Sequence, residues 1–143
     1  RVTCLIGWLI DRLLELRHEN GRPIVRLYGP SDTESRGGTI AINLYDAKGR
    51  SIDHLHVEER ANKRKISLRT GCFCNPGAGE TALDLTKEEL DACFEHAESR
   101  MTLEEFRQCI DTKSTGAVRI SVGAASNFAD VSAFLDFVQE FGE

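Results

Sequence analysis

Two cysteines lie close together in a stretch that also contains an arginine and three glycines. The stretch reads Arg69-Thr70-Gly71-Cys72-Phe73-Cys74-Asn75-Pro76-Gly77-Ala78-Gly79. Its Asn-Pro-Gly segment predicts a loop, because proline fixes φ and glycine tolerates positive φ. A neighbouring cation favours the thiolate, which is the nucleophilic form of cysteine. We therefore predict a reactive thiol at Cys74 or Cys72, with Arg69 nearby.

Two other interpretations of this loop remain open at this point. Both cysteines could be ordinary, partly buried thiols, since cysteine often behaves as a small hydrophobic residue. The loop could instead bind zinc, although Cys-x-Cys is not the usual zinc spacing and only His54 and His56 offer further ligands nearby. We predict no metal site. The four histidines are predicted to lie at the surface rather than to act in catalysis: His18, His54, His56 and His96.

Arg119 is the second residue whose type and position suggest chemistry. It lies in the alternating segment 116–122, where Val118, Ile120 and Val122 are predicted to face the core and Arg119 the opposite side. A guanidinium binds a carboxylate through two parallel hydrogen bonds, so Arg119 is a candidate carboxylate receptor. The alternative is a solvent-facing strand residue with no ligand.

Composition narrows the class of protein. The chain has 143 residues, enough for one domain, and a net charge of -5, which argues against a nucleic-acid partner. It lacks an apolar run of the length that a membrane span requires, so no membrane partner is expected. The five cysteines are odd in number and irregularly spaced, which predicts reduced thiols in a cytoplasmic protein.

The elements that must position these residues follow from periodicity and capping signals. Helices are predicted over 3–18, 53–64, 86–98, 102–111 and from Ser126 onward, and strands over 24–28, 39–45, 65–68 and 116–122. Thr86 and Thr102 begin capping boxes, and Ser126 is predicted to cap the last helix. The predicted fold class is α+β, with a small sheet of about four strands and helices mainly on one face.

Three stretches together resemble a known family. The cysteine loop is similar to the active-site loop of the molybdenum cofactor sulfurases, a branch of the class V aminotransferase family that also includes cysteine desulfurases and selenocysteine lyases. Residues 115–123, with Ser126 and Asp130-Val131, resemble the closing strand and helix of that family. The opening also fits, including Gly7-Trp8-Leu9, residues 26–30 and residues 36–41. The resemblance covers nearly the whole chain.

The resemblance implies a domain assignment. Residues 1–143 would be the C-terminal small domain of a fold type I enzyme that uses pyridoxal phosphate, held mostly by a large domain that precedes this one. The family's Schiff-base lysine has no counterpart here, and the chain opens on Arg1-Val2 with no initiating methionine. We therefore expect a fragment that is inactive alone, taken from an enzyme that is a homodimer when complete.

The resemblance also implies roles for single residues. Cys74 matches the desulfurase nucleophile, which takes sulfur from cofactor-bound L-cysteine as a persulfide and leaves alanine. Arg119 matches the arginine that binds the substrate carboxylate, and Arg69 matches an arginine beside the active site. Cys72 would be an auxiliary thiol. The sulfur would then pass to an acceptor, in the sulfurases the molybdenum cofactor.

The chain departs from the family pattern in ways that leave alternatives open. Cysteine desulfurases carry histidines where Cys72 and Phe73 stand, so the loop sides with the sulfurase branch. Related sulfurases often have a further cysteine where this chain has Gly79-Glu80. The alternatives are another class V enzyme, such as a lyase, epimerase or aminotransferase, or a small interaction module without catalysis.

Overall fold

The computed structural model of the chain describes residues 1–71, 82, 86–95, 101–102, 105, 109 and 116–142. Four helices are described: α1 (Val2–Glu15), α2 (His54–Lys63), α3 (Lys87–Glu95) and α4 (Phe128–Gln139). Four strands accompany them: β1 (Val25–Tyr28), β2 (Thr39–Leu44), β3 (Arg69–Gly71) and β4 (Ala117–Ser121). Within these residues, no helix combines the length and the apolar character needed to cross a membrane.

The strands form one antiparallel sheet in the order β1-β2-β4-β3. The last strand of the chain is therefore inserted between β2 and β3, and β1 and β3 form the two edges. A four-stranded sheet with helices confirms the predicted α+β class. Each predicted strand except one matches an observed strand to within one or two residues.

One face of the sheet is apolar and packs against helices. Ile40, Ile42 and Leu44 on β2 alternate with more polar neighbours, as does the pair Val118 and Ile120 on β4. They form a single core with the buried stripes of α1, α2 and α4, which include the residues Leu5, Ile6, Leu9, Ile10, Leu13, Val57, Ala61, Val131, Phe134, Leu135, Phe137 and Val138. This core on one side of the sheet agrees with the prediction that helices lie mainly on one face.

The prediction of a strand over 65–68 is wrong, and the end of α2 explains why. Lys65 has a positive φ of 59°, and its N–H donates to the carbonyl of Asn62 while that of Ile66 donates to Ala61. This pair of bonds is the Schellman arrangement that closes helices. Residues 66–68 connect the helix to the sheet, and the strand begins at Arg69, one residue after the predicted strand ends.

Helix starts agree with the sequence in one case and differ in another. The N–H of Thr102 donates to Glu105 Oε2 at 2.7 Å, and the N–H of Glu105 donates to Thr102 Oγ1 at 3.3 Å, which is the predicted capping box. The cap of α4 is Asn127 rather than Ser126. Ser126 Oγ instead accepts from the N–H of Gly123, which fixes the turn before the helix.

Candidate functional site

Arg69 and Arg119 face each other directly across β3 and β4. They are register partners in the antiparallel ladder, where opposite residues project from the same side with Cβ atoms about 5 Å apart. That side is opposite Val118 and Ile120, as predicted for Arg119. The structure thus brings together two arginines that lie 50 positions apart in the sequence.

The register extends this pair into a row across all four strands. Ala41 on β2 is the partner of Arg119 on its other side, and Tyr28 on β1 is the partner of Ala41. The row therefore reads Tyr28, Ala41, Arg119, Arg69. It lies on the sheet face away from the apolar core, which we call the open face. We call these four residues the cross-sheet row. The phenol of Tyr28 lies on one side of the small Ala41 side chain, and the two guanidiniums lie on the other side.

The two arginines of the row differ in burial. Arg119 is half-buried, and its Nε is fully shielded from solvent, whereas Arg69 lies on the edge strand and is exposed. Like charges placed directly opposite each other repel, so an anion bound between them would relieve that repulsion. Their proximity and shared face are suited to binding a carboxylate through several charge-assisted hydrogen bonds.

Tyr28 shares a buried polar cluster with Asn43, which is the next open-face residue along β2. Asn43 is buried, and its Nδ2 donates to the Tyr28 hydroxyl at 3.1 Å. Burial raises the pKa of Tyr28 well above its usual value, and Tyr45 adds to this shift, so the phenol stays neutral. The sequence predicts strands over 24–28 and 39–45 but gives no sign that Asn43 is buried.

The strands that carry the arginines converge at two glycines. A Cβ added at Gly116 would lie 2.7 Å from the Cα of Gly71, and Gly71 itself has a φ of 113°, which favours glycine. The cysteine segment begins at the residue after Gly71. Cys72 and Cys74, the predicted auxiliary thiol and nucleophile, lie outside the described residues.

Glu58 is a residue near the site that the sequence did not reveal. Thr70, between Arg69 and Gly71 on β3, points to the helix side of the sheet, and its hydroxyl donates to Glu58 Oε2 at 2.7 Å. This bond ties the short edge strand to α2. No sequence signal identifies Glu58, because the bond depends on how the helix docks against the strand.

Two of the remaining cysteines form a disulfide, although the sequence predicts reduced thiols. Cys93 and Cys109 are joined in a disulfide, with their Cα atoms 5.7 Å apart, so the expectation of reduced thiols throughout is wrong for this pair. Cys4 is a free, exposed cysteine. The odd count and irregular spacing did not reveal the pair, because spacing alone does not show which side chains meet in the fold.

Two of the four histidines are buried, contrary to prediction. His18 is 3% exposed and its Nε2 lies 2.9 Å from the carbonyl oxygen of Tyr45, while His54 is 7% exposed near the cap of α2. His56 is exposed as predicted, and His96 lies outside the described residues. The described part of the chain contains no group of three His, Cys, Asp or Glu residues arranged to hold a metal ion.

The described lysines do not fit the covalent attachment of pyridoxal phosphate. A Schiff-base lysine works in a desolvated site that lowers its pKa. The four lysines within the described residues are exposed: Lys48, Lys63, Lys65 and Lys87. Lys63 is also ion-paired with Glu59 at 2.8 Å. None of these four lysines lies in such a desolvated environment.

The fold and the site define an α+β domain with two paired arginines beside a cysteine-containing segment. No protein-family model matches the chain. It is 38% identical over 140 residues to the molybdenum cofactor sulfurase of Arabidopsis thaliana, 38% over 129 residues to that of Homo sapiens and 33% over 138 residues to that of Aspergillus niger.

These alignments cover 95%, 88% and 93% of the chain, but only 17%, 14% and 16% of the respective relatives. The chain is thus a relative of the molybdenum cofactor sulfurases, matched along nearly its whole length to one segment of them. This confirms the predicted resemblance.

Proposed function

We propose that the chain is the small domain of a sulfurase-type enzyme that takes sulfur from L-cysteine and delivers it to an acceptor. In this proposal Arg119, assisted by Arg69, binds the carboxylate of L-cysteine, and the thiolate of Cys74 attacks its sulfur. Cys74 becomes a persulfide, the substrate carbon skeleton leaves as alanine, and the sulfane sulfur passes to an acceptor such as the molybdenum cofactor.

The observation that carries the proposal is the pairing of Arg69 with Arg119. An amino-acid substrate needs its carboxylate held in one orientation so that its side-chain sulfur points to the nucleophile. Two guanidiniums on one sheet face can do this. In the sequence, the strand that carries Arg69 leads within three residues to Cys72, so the segment with the thiols directly follows one of the two paired arginines along the chain.

The remaining part of the enzyme must supply what this domain does not contain. The described lysines are exposed, so pyridoxal phosphate and its Schiff-base lysine are assigned to a separate large domain. The lengths of the relatives leave room for such a domain, because the chain spans less than a fifth of each. We place the catalytic centre where that domain meets the open face of the sheet.

Steady-state kinetics of the full-length enzyme test the role of the cross-sheet row. Arg119→Met should lower kcat/KM for L-cysteine roughly 10- to 100-fold, since hydrogen bonds to charged groups contribute about 1.5–3 kcal/mol each. Arg69→Met should have a smaller effect because this side chain is exposed. Arg50→Met is the matched control, since Arg50 is exposed and lies outside the four strands of the sheet. An unchanged kcat/KM in the Arg119 variant contradicts the assignment.

The nucleophile is tested by separate substitutions of the two thiols. Cys74→Ala should abolish alanine formation from L-cysteine and the protein-bound sulfane sulfur detected by cyanolysis, while Cys72→Ala should retain both. Full sulfur release by the Cys74 variant would overturn the assignment. If both variants were fully active, neither Cys72 nor Cys74 would be required by itself, and the assignment of Cys74 as the nucleophile would fail.

A further inference from the structure

The disulfide between Cys93 and Cys109 is strongly asymmetric in its exposure to solvent. Cys93, on α3, is only 1% exposed, whereas Cys109 is exposed. The two residues are separated by 16 positions and lie between β3 and β4 in the sequence. The sulfur-transfer function gives this bond no role, because it does not include Cys72 or Cys74.

We propose that this disulfide is a reversible thiol-exchange site at which an external small-molecule thiol attacks the sulfur of Cys109. The proposal does not depend on the sulfur-transfer function. It assigns the two cysteines different roles: Cys109 is the sulfur that forms a mixed disulfide, and Cys93 is the resolving thiol.

Access decides which sulfur is attacked. Thiolate attack on a disulfide proceeds along the line of the S–S bond, from the far side of the sulfur that is attacked. Cys109 is exposed and can be reached from solvent, but at Cys93, which is 1% exposed, the attacking thiol would have to enter the protein interior. A buried thiolate is a poor leaving group, because desolvation raises the pKa of a cysteine. The raised pKa of the leaving group slows exchange but does not redirect it to Cys93, since that residue is buried.

The exchange is balanced in two steps. The external thiolate forms a bond to Cys109 Sγ, the Cys93–Cys109 bond breaks, and its electron pair leaves on Cys93, which takes up a proton. A second external thiol then releases Cys109 as a free thiol and forms an external disulfide. The net reaction oxidises two small thiols and reduces one protein disulfide, and Cys93 drives the reverse reaction by displacing the mixed disulfide.

Trypsin cleavage makes the proposal directly measurable, because the cysteines fall on different peptides. Cys93 lies in peptide 88–100, Cys109 in peptide 108–113 and Cys4 in peptide 2–12. The full chain is incubated in buffers of reduced and oxidised glutathione, quenched with acid, blocked with N-ethylmaleimide, digested without reduction and analysed by mass spectrometry. Cys4 is a free, exposed thiol and serves as the internal reference for unhindered reaction.

In oxidised glutathione we expect peptides 88–100 and 108–113 to be linked. As the buffer becomes more reducing, a glutathione adduct should appear on 108–113 in at least about tenfold excess over any adduct on 88–100, because access selects the attacked sulfur. Equal adducts on the two peptides, an excess on 88–100, or no linked peptide in any buffer would overturn the proposal.

Two variants separate the roles of the cysteines. Cys93→Ser removes the resolving thiol, so the glutathione adduct on Cys109 should accumulate several-fold above the wild-type level. Cys109→Ser leaves only the buried thiol of this pair, Cys93, which should remain unmodified while Cys4 reacts. Circular dichroism checks that both variants fold. If Cys109→Ser unfolds, the adduct ratio of the wild-type chain still decides the outcome.

Discussion

The two faces of the sheet can be compared along a single strand. On β2, Ile40, Ile42 and Leu44 point to the helices and are at most 1% exposed. The intervening residues on the same strand, Thr39, Ala41 and Asn43, belong to the face that carries the cross-sheet row. The first face holds the fold together by apolar burial, and the second holds the polar groups that suit ligand binding. Substitutions should therefore separate stability from function by face.

The largest loss of stability is expected from truncation on the helix-facing side. Ile42→Ala should lower the free energy of unfolding by about 2–5 kcal/mol, because this fully buried side chain leaves a cavity against Leu27 and Val118. Urea denaturation measures the change. Ser121→Thr, at an exposed position on the opposite face, keeps the hydroxyl that contacts Thr39 and is the control; it should stay within about 0.5 kcal/mol. A comparable loss in both variants would remove the distinction between the faces.

The next largest effect is expected where β3 and β4 meet. Gly116→Ala should destabilise the fold by about 1–3 kcal/mol, because its Cβ would lie 2.7 Å from the backbone of Gly71 and one strand would have to shift. In the full-length enzyme it should also slow sulfur release, since the cysteine segment begins at the displaced strand end. Gly123→Ala has open space and serves as the control. Wild-type stability in the Gly116 variant would contradict the close contact.

A smaller effect is expected for the bond that ties the edge strand to α2. Thr70→Val should cost about 1–2 kcal/mol, because Glu58 loses a hydrogen bond in a partly buried position. Thr70→Ser keeps the hydroxyl and should retain most of the stability. A double-mutant cycle with Glu58→Gln measures the coupling between the two side chains. A coupling energy near zero would show that the bond does not hold the strand.

The smallest effect is expected on the open face and depends on pH. Because burial raises the pKa of Tyr28 above 10.0, its contribution to stability is present below pH 10 and is lost as the pH rises beyond that value. The free energy of unfolding of the wild type should therefore fall more steeply between about pH 9 and 11 than that of Tyr28→Phe. Parallel pH profiles for the two proteins would contradict burial of the phenol.

Local patterns predict the helix-facing side well. The alternation around Arg119 correctly assigns Val118 and Ile120 to the core and Arg119 to the other face, since a strand has a fixed period of two. The helix predicted from Ser126 onward rests on helical periodicity instead, and the apolar residues Val131, Phe134, Leu135 and Val138 of α4 are buried. These features depend only on residues that are close together in the sequence.

Long-range pairing explains what the sequence did not predict. The pairing of Arg69 with Arg119 depends on the register of two distant strands, and the start of β3 was misplaced because Lys65 adopts a left-handed conformation that ends α2. The burial of His18 depends on its contact with the carbonyl of Tyr45. The disulfide of Cys93 likewise joins positions that no local pattern connects.

The near-contact of Gly71 and Gly116 has a consequence for how this fold can change. Residues 72–116 leave the sheet and return to it at one point, so insertions or deletions within them add only a slowly growing entropic cost of loop closure. The length of the chain between these two glycines can therefore change without moving the strands that bear the arginines.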